Sequence, residues 1–164
     1  MKQQVANHYR YTLDQALRLT RDVECADCAK LPHEAAKHPG WVLSHLAAGS
    51  SFAAQLLGVD SGVPEDWMKL YGPGSEPGAD RGAYPKKDEL VSVFKNVHEA
   101  VTPAFERAAD DLLAAPLPME EYREFWPTVG DGLFYLLATH EPYHLGQLAV
   151  WRRAAGMGTA EGSF

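Results

Sequence analysis

An all-α fold is what this sequence predicts: a four-helix bundle with long connections between helices 2 and 3 and between helices 3 and 4. Three observations carry the prediction. Four stretches repeat apolar residues at three- and four-residue spacing, no run alternates apolar and polar residues as a half-buried strand would, and prolines and glycines cluster between the periodic stretches.

The first helix is predicted from about Gln3 to Ala29, where Val5, Tyr9, Thr12/Leu13, Ala16, Thr20 and Val23 fall on one face; Pro32 marks its latest end. The second runs from about Gly40 to Leu57. Pro39 suits its first turn and Gly58 the left-handed position just past its end, with Val42, Leu46, Phe52, Ala53, Leu56 and Leu57 as its apolar positions. Val59 to Tyr84 breaks the pattern with three prolines and five glycines around a short helical turn near Glu65–Tyr71. A connection this long is usually functional, so Trp67 and Tyr71 are expected to shape a pocket mouth. The third helix begins near Pro85 and carries the seam Leu90, Phe94, Val97, Val101, Phe105, Ala108 and Leu112; Pro103 is expected to bend or split it, and it stops at Ala115. After a polar and aromatic linker, Pro116 to Pro127, Thr128 and Asp131 resemble a capping box that opens a fourth helix reaching Ala155, with Gly156 ending it. The tail, Met157 to Phe164, has no period and is expected to be loose.

The 164 residues, 46% hydrophobic and 23% charged, suit a single domain spanning 1–164. A net charge of −7 and the lack of any Lys/Arg run exclude a phosphate-backbone footprint, so no nucleic-acid partner is expected. No secretory signal and no apolar stretch of about 20 residues is visible, which leads us to expect a cytoplasmic protein with no membrane segment. Two cysteines, Cys25 and Cys28, make no disulfide framework.

On the fourth helix, Leu133, Leu136/Leu137, His140, His144, Leu148 and Trp151 share one stripe that is apolar except for two histidines one turn apart. Burying two imidazoles without a shared purpose costs two desolvation penalties, and i,i+4 spacing is a bidentate clamp for a transition metal. The second helix offers a third candidate, His45, beside its apolar stripe and one turn after Trp41. Three protein ligands plus water is the open arrangement of a catalytic site, whereas a structural site fills all four positions.

The segments Trp41-Val42-Leu43-Ser44-His45-Leu46-Ala47 and His140-Glu141-Pro142-Tyr143-His144-Leu145-Gly146-Gln147-Leu148 resemble the helix 2 and helix 4 signatures of the DinB/YfiT-like superfamily. The resemblance implies a four-helix bundle, often a homodimer, with a divalent metal held by His45, His140 and His144. It also implies a link to thiol-dependent transferases and isomerases that use low-molecular-weight thiols such as bacillithiol or mycothiol. Three histidines accept zinc or nickel and also iron or manganese. The expected function is therefore a metal-dependent enzyme on a small-molecule substrate, a thiol S-transferase first, with a metal-dependent hydrolase or a non-catalytic metal-binding bundle as alternatives.

Other patterns compete. His140-Glu141-Pro142-Tyr143-His144 also satisfies H-E-x-x-H, which would make Glu141 a protease general base, but the only downstream acid is Glu161 and no histidine follows His144. Glu141 is offset by about 100° from His140, and Gln147 is placed to bond a metal-bound water. Pro142 disrupts a regular helix; a kink that aims the two ligands and a tolerated irregularity are the two readings. Cys25 and Cys28 with His33 and His38 make C-x2-C-x4-H-x4-H, close to a zinc knuckle but without its glycines; we read the cysteines as ending helix 1, with a redox pair as the alternative, and the histidines as a solvated loop. His98 and His8 are read as boundary residues, with His98 also a candidate acid or base.

Overall fold

The computed structural model describes residues 1–160, and among these no strand is present; the chain is all-α. The helices are α1 (Lys2–Thr20), α2 (Pro39–Leu56), α3 (Trp67–Tyr71), α4 (Lys87–Arg107), α5 (Asp110–Ala114), α6 (Val129–Phe134) and α7 (Glu141–Ala154). A π-helical turn, Tyr135–His140, joins α6 directly to α7. Helix α1 packs on α4 and α7, and α2 packs on α4 and α7. One apolar cluster draws residues from all of them but α5, which packs against it through Leu112 and Leu113; it includes Tyr9, Leu46, Phe94, Leu133, Leu148 and Trp151.

Helix α2 is the most deeply placed, with every residue from Pro39 to Ala48 buried. Its ends follow the sequence: Pro39 takes the first turn, and Gly58 adopts φ +69° while the Val59 amide closes back on the Ala54 carbonyl. Its N-cap is an imidazole, since His38 Nδ1 accepts from the Trp41 amide at 3.1 Å. The predicted capping box at Thr128 and Asp131 is formed in both directions.

Three expectations need correction. The first helix stops at Thr20, and Cys25–Ala29 is a separate 3-10 turn, so the cysteines do not end α1. Pro103 lies inside α4 without splitting it; the break comes at Ala108 and Ala109, whose extended backbone separates α4 from α5. The fourth helix is not a regular α-helix ahead of Pro142. The preceding π turn widens the backbone, and Pro142 then falls in the first turn of α7, where a missing N–H is cheapest. The start of the tail is also anchored, because the Met157 amide bonds the Arg152 carbonyl and Ala160 is buried; residues 161–164 lie outside the described residues.

The linker between α5 and α6 is a closed loop. Its base is pinned by the Leu117 amide on the Pro127 carbonyl (3.1 Å) and the Val129 amide on the Ala115 carbonyl (2.9 Å), with Leu117 fully buried. Arg123 reaches back across the loop to donate to the Leu117 carbonyl at 2.5 Å.

Candidate metal centre

Three imidazoles converge where α2 passes the π turn. His45 comes from α2, His140 closes the π turn, and His144 follows one turn later in α7. Ring centroids lie 4.9 Å apart for His45–His140, 4.5 Å for His45–His144 and 4.7 Å for His140–His144. One ring nitrogen from each lies within 4.8 Å of the other two, and Nε2 of His45 faces Nε2 of His140 at 3.0 Å.

Two of the rings are oriented by hydrogen bonds, and the third has space made for it. His45 donates from Nδ1 to the Tyr71 carbonyl at 2.6 Å. A carbonyl only accepts, so the neutral ring keeps its Nε2 lone pair free for the centre. Trp41 stacks on the same ring at 4.5 Å and 10°, and its indole N–H donates to Ser75. His144 donates from Nδ1 to Gln147 Oε1 at 2.9 Å, which again leaves Nε2 free. His140 lies against Gly49, where a Cβ would stand 3.2 Å from its Cε1. Glycine inside a helix costs roughly 1 kcal/mol relative to alanine, and here it makes room for a ligand ring.

Burial pushes the His140 pKa down to about 3, with the neighbouring His144 and His45 adding to the effect. His144 falls to about 4, again through burial first and His45 second. His45 is lowered by burial as well. All three rings are therefore neutral at pH 7, the form of imidazole that ligates a metal. The donor set fits a borderline transition metal better than magnesium or calcium. A cation about 2.1 Å from each nitrogen would hold them about 3.4 Å apart, so His45 and His140, whose Nε2 atoms are 3.0 Å apart, would need to open only a little.

The triad forms the floor of a cavity of about 1010 Å³. Its walls come from Phe52 and Leu56 of α2, from Met68 and Pro73 of the 59–84 connection, and above all from the 116–127 linker.

Against this geometry, a profile of the DinB superfamily matches residues 8–148, a span that takes in all three histidines. The chain belongs to the DinB superfamily. No curated protein matches it.

The residue next to the DinB triad does something the sequence reading missed. Glu141 is 1% exposed and points into the core, where Thr12 donates to Oε2 at 2.5 Å. Ser50 and His98 donate to Oε1 at 3.2 and 3.0 Å. Tyr9 completes the network by donating to Ser50 at 2.9 Å and stacking on His98 at 3.7 Å. His98 is thus a core residue, 2% exposed, and not a boundary one. Glu141 belongs to this core network, which removes it as general base and with it the protease reading; Glu161 lies outside the described residues. No isolated residue signalled the network, but Tyr9, Thr12 and Ser50 sit among the inward positions of α1 and α2.

Gln147 orients His144 through its Nδ1. Trp67 and Tyr71 are buried against each other and do not line the cavity. Their connection acts on the site through the Tyr71 carbonyl and through Met68, Gly72 and Pro73. The candidate zinc knuckle does not assemble: among the described residues the triad is the one group of three or more His, Cys, Asp or Glu side chains spaced to hold a metal. His33 is exposed as expected, whereas His38 is fully buried, capping α2 and donating from Nε2 to the Gly78 carbonyl. Cys25 is exposed, and its thiol is pulled down by the Lys87 backbone and by Arg81, whose guanidinium lies 2.9 Å from Sγ; burial pushes the Cys28 thiol up. Among the described residues no helix is long and apolar enough to cross a membrane.

Proposed function

We propose that this DinB chain is a four-helix-bundle metalloenzyme. It holds one divalent transition metal, zinc or nickel before iron or manganese, on His45, His140 and His144. It transfers the thiolate of a low-molecular-weight thiol to an electrophilic small molecule. The observation that carries the reading is the convergence of three neutral, individually oriented imidazoles on the floor of a roomy cavity. When bound, the metal supplies a Lewis acid that lowers the pKa of a thiol or water. The chain's own part is positional. The Tyr71 carbonyl and Trp41 fix His45, Gln147 fixes His144, Gly49 gives His140 its space, and the cavity walls hold the substrate over the triad.

Thiol transfer suits the site better than hydrolysis. Hydrolysis asks for a general base beside the metal, and the acid next in sequence to a ligand, Glu141, is committed to Thr12, Ser50 and His98. A cavity of this size over the triad favours catalysis over a purely structural ion, which would be closed in by a fourth protein ligand. In this reading the protein is a cytoplasmic homodimer, a state that light scattering after size exclusion checks.

Elemental analysis of native protein beside the His45→Ala variant tests the centre. One metal per chain in the wild type and none in the variant is the expected result. A metal-free wild type, or a variant that keeps its metal, would falsify it. Turnover of a panel of low-molecular-weight thiols with an electrophile then tests the reaction class.

A further inference from the structure

We infer that the cavity above the triad takes an uncharged or cationic ligand bearing an aromatic ring and discriminates against carboxylates and phosphates. The inference deepens the functional reading above and rests on it for one point, that the triad is where chemistry would occur.

Charge is the first argument. Among the described residues, the lining contains no Lys or Arg, and its one fixed charge is the carboxylate of Glu121. An anion entering this space would lose water, meet no cationic side chain on the lining and face a like charge, within a chain already carrying −7; Lys37, whose charge reaches His45 and His144 from outside the lining, is ion-paired with Glu76. A cation would meet Glu121 and several π faces instead.

Ring geometry is the second. Tyr122, Trp126, Tyr135 and His140 form a continuous series of ring contacts running from the linker to the triad, with centroid separations of 5.8, 4.1 and 5.6 Å. All four line the cavity and are only half-buried, so the series is a wall of π surface and not sealed core. Phe52 and Leu56 face it from α2. An aromatic ring lying along this wall would extend the series, with its substituent toward the histidines.

Rigidity is the third. The linker that carries Tyr122 and Trp126 is pinned at its base and braced by Arg123, so the wall is formed before a ligand arrives and little ordering cost falls on binding. At about 1010 Å³ the cavity sits at the large end for small-molecule sites, with room for a ring system and a second reactant together.

The test uses metal-stripped protein and three probes of one size: 2-naphthylmethylamine, 2-naphthylmethanol and 2-naphthoate, titrated by calorimetry. Removing the metal prevents carboxylate coordination from masking the walls. It also makes the outcome independent of whether the triad binds metal, which elemental analysis decides separately. The amine and alcohol are expected to bind at least roughly fivefold tighter than naphthoate. Trp126→Ala should weaken the alcohol by roughly fivefold. Glu121→Lys, at an exposed position that leaves the fold unstressed, should bring naphthoate level with the amine or above it. Equal binding of the three probes, no binding at all, or an unchanged charge preference in Glu121→Lys overturns the inference. Full affinity of a folded Trp126→Ala variant overturns the role of the ring wall.

Discussion

His140 and Glu141 are neighbours in the chain and occupy opposite environments. His140 looks into a cavity beside two other imidazoles, with its Nε2 facing that of His45. Glu141 looks into the core, where Thr12, Ser50 and His98 supply both carboxylate oxygens with donors. Both are polar groups taken from water, and the difference lies in how they are satisfied. In the Glu141 network both carboxyl oxygens have donors inside the core, as a buried polar group needs if it is not to destabilise the fold. In the triad, His45 and His144 have their outer nitrogens secured by the Tyr71 carbonyl and Gln147, while the inner nitrogens converge on one another. Buried polarity that closes holds the fold, and buried polarity that converges on open space binds something.

The largest expected effect breaks the cavity side alone. His144→Ala should lower affinity for zinc or nickel by on the order of a thousandfold, measured by competition with a chromophoric chelator, while circular dichroism stays unchanged. The complementary break is Glu141→Ala. It strands Thr12, Ser50 and His98 in the core and should cost about 3 kcal/mol of unfolding free energy in urea. Glu141→Gln, which keeps an acceptor, should cost less. If Glu141→Ala left stability untouched and abolished only metal binding, the division between the two sides would be wrong.

Acid separates the sides more gently. In metal-stripped protein His140 and His144 have folded pKa values of about 3 and about 4, below the ordinary 6.5. The unfolded chain therefore binds more protons than the folded one in the window between, and stability falls as pH drops below 6.5. For these two groups the loss is on the order of 2 kcal/mol from pH 6.5 to pH 5.5. Urea melts at the two pH values check it, and the slope should flatten in a His140→Ala, His144→Ala double variant. The smallest effect is Gln147→Leu, which releases the His144 Nδ1 proton and should weaken metal binding roughly tenfold without altering the fold. Equal affinity would show that His144 needs no partner.

The sequence made α4 readable through its continuous apolar stripe, and α2 through the proline that opens it and the glycine just past its end. His140 and His144 were readable for the same reason: they interrupt such a stripe at one-turn spacing. His45 needed the family resemblance, since α2 is buried almost all round and no single face marks an inward histidine. The Glu141 network was not legible, because it depends on donors brought from three other helices, a tertiary fact that no local pattern encodes. The ring wall was also missed. Tyr122 and Trp126 lie in a linker without periodicity, where no spacing marks which rings face one another.

The π turn has a consequence for phase. Leu133, Leu137, Glu141 and Leu145 follow one another at four-residue steps and are all buried. In an unbroken α-helix each such step drifts by about 40°, so Leu133 and Leu145 would end about 120° apart. The wider turn at Tyr135–His140 cancels much of that drift and keeps both leucines seated while His140 and His144 reach the cavity. Deleting one residue between 135 and 139 would force a choice between the core and the site. The length of this segment works as a vernier: it sets two rows of side chains against each other, and one step is enough to put them out of register.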